Sequence, residues 1–212
     1  MTRLFFVLLA LLSPATVVFG QEKPDFQLRL PTHVQIFTQA DSEAKDRFGL
    51  AVWGILPDVT LEKSRVTTLL VGGLVWQHNK KNWVEVLGGV RLNQNGYKDP
   101  ILNVRVLWNQ VPRVAISGEI QQSFRVAKRR TVYWVAVDTP TGIWKLRAGV
   151  ETENIHFFEK NNSLGLGPRV VLPLPWKLPN RVKVSAVATY QFRNDKDFVR
   201  VYIITNLSFG RK

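Results

Sequence analysis

The sequence contains no cysteine, which excludes disulfide bonds, thiolate metal sites and the acylated cysteine of a lipoprotein. Histidine is scarce as well: His33, His78 and His156 are the three in the chain, and no two have the spacing of a metal-ligand pair. We therefore predict neither a metal site nor a cofactor. Stability has to come from packing and strand pairing.

Long apolar runs are missing after residue 20, where no segment reaches the ~18 uninterrupted apolar residues of a membrane-spanning helix. The first 20 residues differ. Arg3 precedes an apolar segment at 4–12, Pro14 follows this segment as a helix breaker, and the small residue Gly20 completes a cleavage site. This pattern predicts a secretory signal peptide over 1–20 rather than an uncleaved anchor. Residues 21–212 show no linker or shift in composition, so we predict one exported domain there.

Helical periodicity is also nearly absent after the signal segment, whereas strand-like runs alternate with turn residues such as Asn95-Gly96 and Pro140. The runs lie at 27–38, 47–56, 66–76, 83–92, 101–108, 114–125, 131–138, 143–158, 164–175, 181–193 and 198–209. This rhythm predicts an all-β fold.

Most of these runs have one apolar and one polar face, because the side chains of a strand alternate between its two sides. In 101–108, for example, Leu102, Val104 and Val106 alternate with Asn103 and Arg105. Charges of both signs collect on the polar face and predict one charged wall, formed by Glu85, Arg91, Arg105, Glu119, Lys145, Arg147 and Glu151. Alternation alone leaves open which face points inward.

The last two runs form one long amphipathic hairpin around a turn at 194–197. The final strand carries apolar residues at alternate positions and closes on an aromatic residue: Val199, Val201, Ile203, Leu207 and Phe209. In this it resembles the C-terminal strand of bacterial outer-membrane β-barrels, although Gly210, Arg211 and Lys212 follow the aromatic residue. The resemblance implies recognition by the barrel-assembly machinery, with these five residues as the assembly signal.

The resemblance further implies an antiparallel up-and-down transmembrane barrel with an even number of strands. Either the run at 27–38, which Pro31 interrupts, does not cross, or the long run at 143–158 divides into two. We predict about ten strands, with twelve as the alternative. Pro168, Pro173 and Pro175 also predict an irregular, bulged or frayed strand at 164–175, because proline lacks the ladder donor.

Tryptophan placement favours a membrane barrel, in which the apolar face points outward. If the last strand ends in the periplasm, Trp76, Trp83, Trp108, Trp144 and Trp176 all flank turns on that side. Such a cluster is typical of an interfacial aromatic girdle, which we assign to Trp76, Trp108, Trp144, Trp176 and Phe209. Aromatic residues at the floor of a soluble barrel are the alternative explanation.

The formal net charge of +13 would point to nucleic acid in a cytosolic protein. Because we predict export, membrane lipid and phosphorylated lipopolysaccharide are the more plausible partners, and we predict no nucleic-acid binding. Oligomeric state is left open.

Two further features have a structural and a functional interpretation. His156 with Glu153, Glu159 and Ser163 could assemble a hydrolytic site, but a solvated loop accounts for them better and we predict no enzymatic activity. The runs at 47–56 and 66–76 carry no internal charge, which indicates either close packing in the lumen or an apolar sector for an acyl chain.

These observations predict a porin-like outer-membrane barrel with a structural or narrow-pore role. The charged wall is then a lumen filled by paired charges or the lining of a polar passage. The alternatives are a lipid-handling outer-membrane barrel and a soluble periplasmic barrel that binds a hydrophobic ligand.

Overall fold

A computed structural model places the described residues in strands and in the connections between them. It describes residues 23–38, 46–61, 65–79, 81–109, 113–125, 129–158, 162–176, 178–179 and 181–210. The predicted signal peptide at 1–20 lies outside these residues.

Eleven strands follow one another along the described part of the chain. They are β1 (Asp25–Phe37), β2 (Asp46–Thr60), β3 (Arg65–His78), β4 (Asn82–Asn93), β5 (Lys98–Trp108), β6 (Ala115–Ser123), β7 (Arg130–Pro140), β8 (Arg147–Phe157), β9 (Gly165–Pro173), β10 (Val182–Arg193) and β11 (Phe198–Gly210). The all-β prediction is therefore confirmed, and each predicted run overlaps one strand.

The strands close into one barrel in which each pairs with its neighbour in the chain and β1 pairs with β11. Sequential pairs are antiparallel, but β1 and β11 run parallel, from Asp25↔Phe198 to Phe37↔Gly210. A parallel closing pair is required because an odd number of up-and-down strands brings the first and last strands together in the same direction. The prediction of about ten strands is therefore one short, and the run at 27–38 is part of the wall.

Two prolines interrupt the backbone pairing of the wall only locally. Pro31 lies inside β1, and the pairing of β1 with β2 shifts register between Arg29 and Pro31, so the strand continues past the missing donor. In β9, Pro168 falls in the gap between the β10 pairs formed by Leu166 and Arg169, and the strand ends at Pro173. The irregularity predicted for this strand is thus local.

The barrel has an apolar outer surface and a polar interior on most strands. Large apolar side chains are exposed on the outside, among them Leu74 (67%), Phe48 (62%) and Val86 (50%). Charged side chains are buried inside, including Glu85 (0%) and Arg200 (2%). This is the reverse of the usual distribution in a water-soluble domain, where charged residues are seldom fully buried.

One sector of the interior is apolar. The inward side chains of β1 to β5 form a buried cluster of Phe37, Ala51, Trp53, Leu69, Val71, Val75, Leu87 and Ile101, against which Ile55 and Trp83 pack. The runs at 47–56 and 66–76, which carry no internal charge, supply five of these residues. Their lack of charge therefore corresponds to close packing over most of this sector.

Several inward positions carry glycine because the neighbouring strand leaves no room for a side chain. A Cβ on Gly149 would lie 1.9 Å from the carbonyl oxygen of Val137, and a Cβ on Gly167 would lie 1.6 Å from that of Tyr190. Both contacts are with backbone, which cannot rotate away. These glycines allow adjacent strands to approach closely on the inside of the curved wall.

The first prediction uses this contrast between glycines. Gly149→Ala should lower the free energy of unfolding by about 1–3 kcal/mol through overpacking, measured from urea unfolding of the purified barrel by circular dichroism. Gly88→Ala is the matched control, because nothing lies within 4 Å of a Cβ there, and its effect should stay within about 0.5 kcal/mol. Equal unfolding midpoints for both variants would contradict the close approach.

Candidate functional site in the barrel lumen

The barrel encloses a cavity of about 490 Å³. Trp53, Ile55, Leu69 and Trp83 line one side of it, on β2 to β4. Charged residues line much of the rest, namely Arg29, Asp58, Arg91, Arg105, Glu119, Arg130, Glu153, Arg169, Arg193, Asp195 and Arg200. Side chains just fill the interior of a barrel of about eight strands. A barrel of eleven strands has a larger diameter, which leaves room for this cavity.

One polar network is centred on Glu85, whose side chain is fully buried on β4. Its Oε1 accepts from His33 Nε2 (2.5 Å) and Gln35 Nε2 (2.7 Å), and its Oε2 accepts from Arg105 Nη1 (2.9 Å). The Arg105 guanidinium also lies 3.8 Å from the centroid of the Trp53 ring. The carboxylate is therefore held by three donors on two other strands.

The same arginine extends this network to β6. Arg105 Nε lies 3.7 Å from Glu119 Oε2, and Glu119 Oε1 accepts from Asn103 Nδ2 at 2.6 Å. Arg105 thus neutralises two carboxylates while covering an aromatic ring.

A second network surrounds Glu153 and joins β1, β8 and β11. Arg200 approaches with two nitrogens, Nη2 at 2.8 Å from Oε1 and Nη1 at 3.1 Å from Oε2. Arg29 Nη1 reaches the same Oε2 at 3.0 Å, while its Nε pairs with Asp58 Oδ2 at 3.1 Å. Two-pronged arginine contacts with carboxylates are among the strong polar interactions in proteins.

The neighbouring Glu151 continues this network toward β9 and β10. Its Oε2 accepts from Arg169 Nη1 at 2.5 Å, and its Oε1 accepts from Gln191 Nε2 at 2.9 Å and the Tyr202 hydroxyl at 2.8 Å. Buried charges are stable only when such partners compensate for their lost hydration. Removing one partner should therefore cost more than a surface mutation does.

Most of the predicted charged wall points into the barrel. Glu85, Arg105, Glu119 and Glu151 belong to the two networks. Two further members, Arg147 and Arg91, also point inward: Arg147 pairs with Asp138 on β7, and Arg91 bonds Gln121.

Lys145 is the member that does not belong to the wall. It is exposed in the connection between β7 and β8, because β8 begins only at Arg147 and not at 143. The sequence run was read as strand across residues that form a turn.

The predicted charged wall lacks several residues that complete the networks: Arg29, Asp58, Asp138, Glu153, Arg169, Arg193 and Arg200. Their inward parity was readable in most strands. Their partners were not, because Arg29 and Glu153 are 124 residues apart in the sequence.

The residues assigned to the aromatic girdle lie at one rim. Trp76 lies two residues before the end of β3, and Trp108 ends β5. Trp144 and Trp176 lie in the connections after β7 and β9. All four are exposed, and Phe209 is half-buried beside the same rim at the end of β11. Trp83 differs, because it points inward and its ring lies 5.2 Å from that of His33.

The five residues assigned to the assembly signal share one parity on β11. Val199, Val201, Ile203, Leu207 and Phe209 alternate with the inward residues Arg200, Tyr202, Ile204 and Asn206, which line the cavity. The predicted signal residues therefore lie on the outer face.

The cluster considered for hydrolysis is divided by the barrel wall. Ser163 lines the cavity, whereas His156 belongs to the outward parity of β8 and packs against Phe158 at 5.4 Å. Ser163 Oγ instead donates to Asp195 Oδ2 at 2.7 Å and accepts from Arg193 Nη2 at 2.6 Å. Glu159 lies outside the described residues.

Asp195 is in the turn between β10 and β11. Partial burial disfavours its charged form, but the hydrogen bond from Ser163, backbone N–H groups of the turn and nearby Arg193 outweigh that effect and lower the pKa of this carboxyl. The turn thus keeps a negative charge at the cavity mouth.

No protein-family model matches this chain, nor does any curated protein or solved structure. In the described part of the chain, no three potential metal-ligating side chains converge on one point. Nor do the described residues include a helix with the length and hydropathy of a membrane span.

The second prediction tests the network at Arg105. Arg105→Glu should lower the free energy of unfolding by roughly 3–5 kcal/mol, because a third carboxylate would face Glu85 and Glu119. Lys145→Glu is the control, since Lys145 is exposed and the same reversal should change stability by no more than about 0.5 kcal/mol. Thermal melting of both purified variants measures the difference. Identical melting curves would show that the network does not stabilise the fold.

Proposed function

We propose that this protein is an outer-membrane β-barrel with a structural or narrow-pore role. The observation that carries the proposal is the inverted polarity of the barrel. Phe48, Leu74 and Val86 are exposed on the outside, whereas Glu85 and Arg200 are buried inside. In water such an outer surface would be unfavourable, but in a lipid bilayer its apolar side chains contact lipid chains instead of water.

The rim of exposed tryptophans supports the same proposal. Trp76, Trp108, Trp144 and Trp176 lie where the strands end on one side. Tryptophan is enriched at the level of lipid headgroups because its ring is apolar and its indole N–H is polar. Membrane lipid and lipopolysaccharide are the partners that this surface fits best.

The filled lumen favours a structural role or a narrow pore and argues against a wide pore. Ion pairs from opposite walls meet inside, as between Arg29 and Glu153. The space left between them, about 490 Å³, is small for an aqueous channel through a porin-like barrel.

Membrane insertion would place the two ends of the barrel on opposite sides. Asp25 begins β1 at the rim that carries the β10–β11 turn, and Gly210 ends β11 at the rim with the tryptophans. With the end of β11 in the periplasm, as the assembly signal implies, the start of β1 faces outward from the cell.

A soluble periplasmic barrel is the second candidate, and the apolar cluster of β1 to β5 is the observation that favours it. That cluster could form the floor of a site for a hydrophobic ligand. The exposed apolar residues on the outer face of the same strands, such as Leu50 and Leu70, weigh against it.

Fractionation separates the two candidates and is the third prediction. In cells that express the full-length protein, the barrel should stay in the outer-membrane pellet through salt and carbonate washes and should need detergent for extraction. Recovery in the osmotic-shock fluid would instead assign it to the soluble periplasmic class.

The fourth prediction concerns depth in the membrane. Val104 is exposed near the middle of β5, so Val104→Arg should cost about 2–4 kcal/mol at the bilayer midplane and reduce the amount of assembled barrel. Thr139→Arg is the control, because Thr139 is exposed on the outer parity near the end of β7, where an arginine costs about 0–1 kcal/mol. Heat-modifiable mobility in gels measures assembly. Equal assembly of the two variants would mean that the outer face does not meet lipid.

A further inference from the structure

Arg91 differs from most of the arginines that face the lumen. Six of these arginines each form an ion pair with a carboxylate inside the barrel: Arg29, Arg105, Arg147, Arg169, Arg193 and Arg200. Among the described residues, Arg91 has no carboxylate within 4.0 Å, and its Nη2 donates to the neutral amide oxygen of Gln121 at 3.0 Å. Its guanidinium lines the cavity.

The missing partner is not explained by a lack of nearby carboxylates. Asp99 is the registered neighbour of Arg91 on β5, yet its Oδ1 accepts from Ser123 Oγ at 2.6 Å. Asp58 is bound by Arg29 and Gln27. Arg91 is partly buried, and carboxylates that lie beyond ion-pair distance replace its lost hydration only in part. An arginine left this way beside a cavity is available to a bound anion.

The surface next to Arg91 is apolar. Arg91 pairs in register with Leu69 on β3, and Leu69 pairs with Ile55 on β2, so the three side chains lie in one row on the inner face. Trp53, two residues before Ile55 on β2, also lines the cavity, as does Trp83 at the start of β4. Arg91 therefore borders an apolar wall. The second cation at this wall, Arg105, lies over the Trp53 ring and is already paired with Glu85.

We propose that the lumen cavity binds an amphipathic anion with a single short apolar tail. The headgroup, a carboxylate or a phosphate monoester, binds the Arg91 guanidinium, and the tail packs against Ile55, Leu69 and Trp53. The planar fork of arginine suits both headgroups. The cavity of about 490 Å³ lies within the ~300–1,000 Å³ usual for small-molecule sites.

The test is isothermal titration of the full-length barrel in phosphatidylcholine nanodiscs, with empty nanodiscs as the blank. Octanoate and octyl phosphate should bind, and the tighter of the two identifies the headgroup. Octylammonium, octanol and acetate should each bind at least about tenfold more weakly, because each lacks either the negative charge or the tail. Equal binding of octanol or octylammonium would overturn the role of Arg91, and equal binding of acetate would overturn that of the apolar wall.

Matched variants locate the site. Arg91→Gln should weaken binding of the better probe by at least about tenfold. Arg47→Gln should leave it unchanged, because Arg47 points inward from β2 but does not line the cavity. Loss of binding in both variants, or in neither, would contradict the assignment.

Stability gives a second and independent readout. Without ligand, Arg91→Gln should melt within about 2 °C of wild type, because the arginine is only partly buried and forms no ion pair within 4.0 Å with a described residue. Arg200→Gln should melt lower by at least ~2 °C, because it removes the two-pronged contact with Glu153. An Arg91→Gln barrel that melts well below wild type would show that the arginine is structural and would overturn the proposal.

This inference does not rest on membrane insertion. If fractionation recovers the protein as a soluble barrel, the same titration is done in buffer without nanodiscs. Failure of the membrane proposal and failure of the ligand proposal are therefore observed in separate experiments.

Discussion

The contact of Glu153 with Arg29 and Arg200 holds the place where the barrel closes. The two arginines belong to β1 and β11, the strands of the parallel seam, and the carboxylate reaches them from β8 across the lumen. Parallel pairing is slightly less stable per residue than antiparallel pairing. Arg29 also binds Asp58 of β2, so charges tie the seam to the strands on either side of it. Closure of an odd-stranded wall thus depends on side chains as well as on the backbone ladder.

The separation of inward charges from outward apolar side chains also constrains the register of the strands. Side chains alternate with a period of two, so a slip of one residue would carry the charges outward and the apolar residues inward. At the seam, Gln27 is paired with Arg200, and Gln27 Oε1 also accepts from Arg200 Nε at 2.5 Å. A slipped seam would bury valine against carboxylates and expose arginine on the outer face. The polar networks and the apolar surface are therefore two consequences of one alternation.

The same alternation explains what the sequence could predict. Strand positions and faces were readable because they are local, and the final hairpin at 182–209 matches β10 and β11 closely. The closure of the barrel could not be predicted, because the pairing of β1 with β11 depends on the whole circumference. In addition, Pro31 interrupts β1 and makes it look unlike a crossing strand. Lys145 was misplaced because a turn interrupts an otherwise alternating run. The partners of Glu153 were missed because ion pairs across a lumen leave no spacing in the sequence.

The cavity lies at the boundary between the apolar cluster and the ion-pair networks of the lumen. On β2 and β3 the inward residues are mostly apolar and pack into a cluster, whereas most of the inward arginines on the other strands pair with carboxylates. The two kinds of interior meet at Arg105, whose guanidinium lies over Trp53 and is bound to Glu85. An aromatic face tolerates a cation through its quadrupole, so this one residue can border both regions. Elsewhere along the boundary neither the apolar cluster nor the ion pairs fill the width of an eleven-strand wall. The lumen therefore keeps a space that is lined by both apolar and charged side chains.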